Sequence, residues 1–206
     1  MNQSTINLNY PVDIRNQSRL HQLIDNIFMD FSKVLTVRLD FYIQKEYEEF
    51  NNYFYMNDCF TRLRNNLRFN SLFEYCITYI ASLEYGQDRK WHYHVLFFFD
   101  GQQLKSDYQL AKEIGEYWVN VITRGIGAYN SPNMNKSRYR TFALGNIGYN
   151  DAEAIANLKA VSDYLVKAEK GLQHLPESES SKSYRTYRQG QYKPKLSNLG
   201  RPRQHH

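Results

Sequence analysis

Residues 91–99 read Trp-His-Tyr-His-Val-Leu-Phe-Phe-Phe, and this aromatic and β-branched content predicts a buried β-strand. Alternate side chains of a strand lie on one face, so His92 and His94 share a face with Leu96 and Phe98. Packing alone gives an apolar strand no reason to carry two imidazoles side by side. The pair therefore predicts a site at which both histidine rings bind a ligand.

A second strand precedes this run. Residues 76–85 are again β-branched and aromatic, and a turn-prone segment follows them, so the two strands form a hairpin centred near Asp88. Pairing about that centre sets Glu84 opposite His92, with about 5 Å between paired Cβ atoms. Glu84, His92 and His94 are then expected to form one cluster.

This cluster has the composition of a catalytic metal site. Two imidazoles and one carboxylate leave coordination positions open, which suits a divalent ion that also binds water or substrate. We therefore predict that Glu84, His92 and His94 bind such an ion. The alternative is that the two histidines are hydrogen-bonded or surface residues of the sheet and bind no metal.

The length of 206 residues allows one domain, or one domain plus a tail, with a substantial core. Two cysteines, Cys59 and Cys76, lack the CxxC spacing of a zinc knuckle and fit a reducing cytoplasm. The N-terminus lacks the pattern of a signal peptide, and no apolar run is long enough to span a bilayer. We expect a soluble, cytoplasmic protein without a membrane partner.

The charge of the chain is unevenly distributed. Residues 182–206 carry seven basic side chains and no acidic one, which leaves 19 basic and 21 acidic residues before them. Because residues 176–206 are rich in Ser, Gln, Pro and Gly, we expect a flexible basic tail after a domain at 1–175. Tyrosines alternate with cations in this tail, a pattern that suits single-stranded nucleic acid. The candidate DNA contacts are Arg185, Arg188, Lys193 and Lys195; a solvated terminus with no specific partner is the alternative.

The rest of the chain alternates helical and strand patterns. Predicted helices cover residues 18–32, 46–65, 107–123 and 151–170, the first within an N-terminal extension at 1–32 and the last capped by Asp151. Besides the hairpin, strands are predicted at 34–41 and within 139–149, and a connection rich in Gly and Asn at 125–135. This mixture predicts an α+β fold.

The last predicted helix carries Tyr164 and Lys167, which are three residues apart and therefore on a shared flank. A phenol with a pKa of about 10 is a weak nucleophile, but an adjacent ammonium and a nearby metal favour the phenolate. A Tyr-x-x-Lys pattern is unspecific in a chain with 18 tyrosines, and a structural role for Tyr164 is the alternative. The motif gains meaning from its position after the two histidines.

The order of these features resembles a known family of enzymes. A strand at 35–41, Glu84 ahead of His-Tyr-His at 92–94, and the Tyr-x-x-Lys motif at 164–167 are similar to the three motifs of HUH-type endonucleases that initiate rolling-circle replication. Further matches resemble inovirus-type phage replication proteins and the related YagK/YfjJ prophage domain: Phe-Phe-Phe-Asp-Gly at 97–101, Ile-Gly-Glu-Tyr-Trp at 114–118 and Tyr-Asn-Asp at 149–151. The resemblance spans roughly residues 33–170.

The resemblance implies a central antiparallel β-sheet with flanking helices, as in ferredoxin-like and RNA-recognition-motif folds. It implies that His92, His94 and Glu84 hold Mg²⁺ or Mn²⁺, and that Tyr164 attacks the scissile phosphate while Lys167 offsets charge. The products would be a 5′-phosphotyrosyl link and a free 3′-hydroxyl. A host DNA polymerase would extend that hydroxyl.

The implied partners are single-stranded or hairpin origin DNA, a host DNA polymerase and a host helicase, since the chain has no Walker-type loop. Ala160 and Ala168 lie four residues before and after Tyr164, so the enzyme would use a single tyrosine. Three alternatives stay open. They are a non-catalytic regulator that binds single-stranded nucleic acid, a hydrolase that uses metal-bound water, and a transposase or relaxase with the same chemistry.

Overall fold

The computed structural model describes residues 11–138, 143–167, 174–175, 184–192 and 194. Within those ranges a six-stranded antiparallel sheet carries helices on both faces, so the predicted α+β class is confirmed. The helices are α1 (Ile14–Asp30), α2 (Tyr53–Asn66), α3 (Asp107–Tyr117) and α4 (Ala152–Ser162). The strands are β1 (Lys33–Ile43), β2 (Cys76–Gly86), β3 (Lys90–Asp100), β4 (Gly127–Asn130), β5 (Gly145–Gly148) and β6 (Tyr187–Gln189).

The sheet has the strand order β4-β1-β3-β2-β6, and β5 pairs with the beginning of β1. Helix α2 connects β1 to β2, and α3 connects β3 to β4, so the central part of the chain follows the βαββαβ order of ferredoxin-like folds. The long hairpin of β2 and β3 lies near the middle of the sheet. Its residues are therefore covered on both faces.

One face of the sheet packs against α2 and α3. Alternate residues of β3 point to this face, and the ring of Tyr93 stacks on Phe60 of α2 with 4.2 Å between centroids. Phe41 of β1 stacks on Trp118, which follows α3, with 4.6 Å between centroids. This layer consists of aromatic and aliphatic side chains and supplies the larger part of the core.

The other face packs against α1 and α4. Asp13 caps α1 by accepting a hydrogen bond of 3.1 Å from the backbone N–H of Asn16. Five residues at helical spacing then face the sheet: Leu20, Leu23, Ile24, Ile27 and Phe28. The first helix is thus an integral layer of the fold. Among the described residues, no helix is both long enough and apolar enough to cross a bilayer.

Three predicted boundaries differ from the structure for local reasons. The segment predicted as one helix at 46–65 divides into a 3₁₀ turn (Lys45–Phe50) and α2, because Asn52 caps a new helix with a side-chain hydrogen bond to Tyr55. The helix predicted to reach residue 123 becomes a π turn at Trp118–Ile122. The predicted Gly- and Asn-rich connection contains the short strand β4, which pairs with β1. The first residues of the strand predicted within 139–149 lie outside the described ranges, and β5 forms the rest.

The last helix is shorter than predicted. It ends at Ser162, a 3₁₀ turn follows at Asp163–Val166, and Lys167 is extended and forms an isolated bridge with Val12. The backbone N–H of Asp13 donates a 3.0 Å hydrogen bond to the carbonyl of Val166. This contact with the segment before α1 requires an extended chain, so the prediction of a continuous helix to residue 170 was wrong. Residues 168–170 of the predicted helix lie outside the described residues.

The described part of the basic C-terminal segment packs on the sheet, where the sequence predicted a flexible tail. Tyr187–Gln189 form β6, which pairs with β2, while the side chains of Tyr187 and Tyr192 pack against the α1 and α4 layer. Tyr184 contacts the ring of Tyr53 at 4.8 Å between centroids. Tyrosines supply the apolar surface, and the edge of β2 supplies backbone partners that a low-hydrophobicity segment needs in order to pack.

Candidate metal centre

The hairpin register places the predicted cluster together. Glu84 pairs with His92, and Ser82 pairs with His94, as the centre near Asp88 predicted. Glu84, His92 and His94 are all buried, and each offers one ligand atom within 4.8 Å of the others. The structure therefore contains a Glu-His-His group of the composition that could bind a metal ion.

The hydrogen bonds of the two histidines leave one nitrogen of each ring directed to this group. The Nδ1 atom of His92 lies 2.8 Å from the carbonyl oxygen of Lys90, and the Nδ1 atom of His94 lies 2.5 Å from Oδ1 of Asp40. Metal-binding histidines are commonly oriented in this way, by a carbonyl or carboxylate on the other nitrogen. In both rings, Nε2 is the atom left for an ion.

The Nε2 atom of His94 provides a direct test of whether the residues fit a metal. It is buried and makes no hydrogen bond within the described part of the chain, and it lies 3.6 Å from Oε2 of Glu84. A buried nitrogen without a hydrogen bond is costly, and a cation beside the carboxylate would give this nitrogen a partner. Nitrogen and carboxylate oxygen donors suit a divalent ion, while the choice of Mg²⁺ or Mn²⁺ stays a prediction.

The surroundings of the cluster shift the pKa values of the two rings in opposite directions. Burial and the neighbouring His94 together lower the pKa of His92 to about 4, so His92 is neutral near pH 7. Burial alone would also lower the pKa of His94, but the carboxylates of Asp40 and Glu84 outweigh it and raise that pKa. Burial opposes ionisation of Asp40 as well, yet His94 and Arg38 hold its pKa well below the usual range.

Tyr164 reaches this cluster from the 3₁₀ turn after α4. Its hydroxyl donates a hydrogen bond of 2.9 Å to Oε2 of Glu84, and its ring lies edge-on to His94 with 5.3 Å between centroids. Burial and the charge of Glu84 both raise the pKa of Tyr164, so the phenol is protonated near neutral pH. The predicted tyrosine and the predicted ligands thus share one site.

Lys167 also lies close to the ring of Tyr164. Its Nζ atom is 5.4 Å from the centroid of the Tyr164 ring. This Nζ atom is buried and has no hydrogen-bond partner among the described residues. A lysine ammonium without a hydrogen-bond partner beside the tyrosine suits an anionic ligand.

A comparison with protein families identifies the relatives of this chain. The family model described as the YagK/YfjJ C-terminal domain matches residues 1–177. The chain belongs to this family. No curated protein and no solved structure matches the chain. The matched range includes Glu84, both histidines and Tyr164.

In this YagK/YfjJ domain, α1 fixes the turn that presents Tyr164. Asp163 accepts a hydrogen bond of 2.8 Å from Nε2 of Gln17, and its other oxygen lies 2.7 Å from Nε2 of His21. Together with the bridge between Val12 and Lys167, these contacts hold both sides of the tyrosine. The N-terminal helix therefore positions a residue of the candidate site.

Two site residues on β1 were missed by the sequence interpretation. Asp40 pairs with His94 across the strands, and Nε of Arg38 lies 3.4 Å from Oδ1 of Asp40. The Arg38 guanidinium also lies 5.4 Å from the centroid of the Tyr164 ring. The available signal was the period of the strand, since Arg38 and Asp40 alternate with apolar residues and so share the face of the histidines.

Of the four predicted DNA contacts in the C-terminal segment, the structure describes Arg185 and Arg188. Arg188 of β6 pairs with Ala81 of β2, and its guanidinium donates a hydrogen bond to the side chain of Asn57. Arg185 is exposed before β6. Lys193 and Lys195 lie outside the described residues. Arg185 and Arg188 therefore lie near the edge of the sheet formed by β2 and β6.

Proposed function

We propose that this protein is a metal-dependent tyrosine endonuclease that nicks one DNA strand at a specific site and initiates rolling-circle replication. The observation that carries the proposal is the hydrogen bond between Tyr164 and Glu84, which joins a potential nucleophile to a Glu-His-His group. Packing alone does not require a tyrosine to hydrogen-bond a buried carboxylate that also lies beside two imidazoles. The resemblance of the motif order to HUH-type endonucleases supports the same chemistry.

The reaction exchanges one phosphodiester for another. The phenolic oxygen of Tyr164 bonds to the scissile phosphorus, and the bond from phosphorus to the 3′ oxygen breaks. The phenolic proton leaves toward Glu84, which already accepts its hydrogen bond, and the departing 3′ oxygen takes a proton from solvent. When bound, Mg²⁺ or Mn²⁺ would polarise the scissile phosphate and stabilise its developing charge.

Two cations of this chain suit the phosphate. Lys167 has a buried Nζ without a described hydrogen-bond partner, and the Arg38 guanidinium lies on the same tyrosine ring. Both charges favour an anionic ligand at Tyr164, which lowers the cost of bringing a phosphodiester to a buried phenol. Their positive charge would also favour the phenolate when the substrate is in place.

The product would be a 5′-phosphotyrosyl link and a free 3′-hydroxyl that a host DNA polymerase extends. The phosphotyrosine preserves the bond for later rejoining, so no nucleotide cofactor is needed. The substrate would be single-stranded or hairpin origin DNA in the cytoplasm of the host cell, and a host helicase would unwind the duplex. A transposase or relaxase would use the same site in another setting.

The test is to incubate the protein with Mn²⁺ and labelled single-stranded oligonucleotides from its own replicon, then resolve the products on a denaturing gel. We expect a covalent protein–DNA adduct that maps to Tyr164 and disappears with chelator. Tyr164→Phe should abolish the adduct and retain DNA binding. Tyr108→Phe is the matched control, because Tyr108 is exposed on α3.

The other outcomes assign the site to the competing classes. Cleavage without an adduct would favour a hydrolase in which metal-bound water attacks. Tight binding of a verified origin with neither cleavage nor adduct would favour a non-catalytic regulator. Full adduct formation by the Tyr164→Phe protein would exclude Tyr164 as the nucleophile.

A further inference from the structure

A groove of about 1,680 Å³ runs around the edge of the sheet where β2 begins. The end of α2 and the following residues form one wall, and residues 185–191 form the other. The metal cluster lies at the opposite end of β2. Seven residues separate Ile77 from Glu84, which corresponds to about 23 Å along a strand.

The floor of the groove is a sheet edge that β6 leaves uncovered. Strand β6 pairs with β2 only at Ile80–Ser82, and the N–H of Gly190 donates a 2.8 Å hydrogen bond to the carbonyl of Tyr79. In the described part of the chain, no strand pairs with residues 76–78 on the side away from β3. The groove is therefore open where the two walls meet the edge.

Positive charge predominates in the groove. Four arginines line it, namely Arg64, Arg68, Arg185 and Arg188, against the two acids Glu74 and Asp100. Arg68 and Arg185 are exposed and lie on opposite walls. Arginines arranged on two sides of a groove suit a linear polyanion, whose phosphates or carboxylates pass between them.

Exposed aromatic rings distinguish among such polyanions. Phe69 follows α2 and is 91% exposed, and Tyr75 is 39% exposed on the same wall. An exposed phenylalanine ring contributes no burial energy to the fold, whereas a base stacked on it would remove the ring from water. Aromatic rings beside arginines are the usual surface for single-stranded nucleic acid, in which bases stack and cations follow the backbone.

We propose that this groove binds single-stranded nucleic acid, with bases on Phe69 and Tyr75 and phosphates on Arg68 and Arg185. In the proposed nickase it would hold the strand at a distance from the cut. The identification of the bound strand as origin DNA rests on the proposed function. The binding itself needs neither metal nor Tyr164.

The test measures binding of fluorescein-labelled oligothymidylate by anisotropy, in EDTA and across a salt series. We expect Phe69→Ala to weaken binding roughly tenfold, the usual effect of losing one base–aromatic stack. Arg68→Gln should lower the slope of log affinity against log salt by about 0.7, because one phosphate contact is lost. Both residues are exposed, so thermal unfolding should match the unsubstituted protein.

Matched controls lie outside the groove. Phe54→Ala removes an exposed ring of α2, since Phe54 is 53% exposed, and Arg124→Gln removes an exposed arginine beside β4, at the other edge of the sheet. Oligothymidylate affinities that are the same for the groove variants and these controls would overturn the proposal. The proposal would also be overturned, in favour of an acidic peptide, if the protein bound oligoglutamate as tightly as oligothymidylate and Phe69→Ala abolished the binding of oligoglutamate.

The metal-free measurement separates this proposal from the nickase. If Phe69→Ala leaves oligothymidylate binding unchanged and an adduct forms at Tyr164, the groove proposal is wrong and the nickase proposal is supported. If Phe69→Ala weakens oligothymidylate binding and no adduct forms in any condition, the groove proposal is supported and the nickase proposal is wrong.

Discussion

Tyr164 and Glu84 share a hydrogen bond of 2.9 Å although 80 residues separate them in the chain. Glu84 is also the carboxylate of the Glu-His-His group, so the phenol and a bound ion would contact the same side chain. An ion that neutralises Glu84 would remove the charge that now raises the pKa of Tyr164. The relationship therefore couples metal binding to the ionisation of the phenol.

Glu84→Gln should weaken Mn²⁺ binding at least tenfold, because an amide oxygen is a poorer ligand than a carboxylate. In the unsubstituted protein, Mn²⁺ at a hundred times its dissociation constant should stabilise the fold by about 2.7 kcal/mol. Thermal unfolding with and without Mn²⁺ measures both effects. Glu74→Gln, an exposed control, should keep the full shift; an equal shift in Glu84→Gln would contradict the assignment.

Asp40→Asn should reduce Mn²⁺ affinity about 10- to 100-fold without removing a ligand. The carboxylate orients His94 through a 2.5 Å contact with Nδ1, and the amide replaces that charged acceptor with a neutral group. Isothermal titration measures the affinity. Asp58→Asn serves as the control, because Asp58 is exposed and forms its ion pair with Arg62 within α2.

Asp163→Asn should slow adduct formation about tenfold while leaving Mn²⁺ affinity unchanged. The substitution weakens the contacts with Gln17 and His21 that fix the turn carrying Tyr164. A gel time course gives the rate, and titration gives the affinity. Asp25→Asn is the matched control, since Asp25 also joins α1 to α4 through a 2.5 Å contact with Lys159 but does not touch the turn. Parallel losses of rate and affinity would argue against a positioning role.

Tyr187→Ala should lower the free energy of unfolding by about 1 to 3 kcal/mol. Tyr187 pairs with Ser82 on β2 and packs against the α1 and α4 layer, whereas a flexible tail would make no such contribution. Urea denaturation measures the change. Tyr108→Ala removes an exposed tyrosine and should change stability by less than about 0.5 kcal/mol. Equal stabilities for the two variants would show that β6 does not hold the edge of the sheet.

The sequence alone determined the hairpin and the Glu-His-His group that it carries. Strand period and a turn centred near Asp88 fix which side chains are opposite each other, so Glu84 and His92 pair as predicted. These are local relationships, set by residues within one supersecondary unit. The same local periodicity predicted β1 and the apolar face of α1.

Only the tertiary structure decided how Tyr164 meets that cluster and how the C-terminal segment packs. The helical pattern continues past Ser162, but bonds from the segment before α1 end the helix and extend Lys167. Likewise, β6 forms because the distant edge of β2 offers unpaired backbone groups. Contacts between segments more than a hundred residues apart overrule local propensity, and no periodicity within either segment records them.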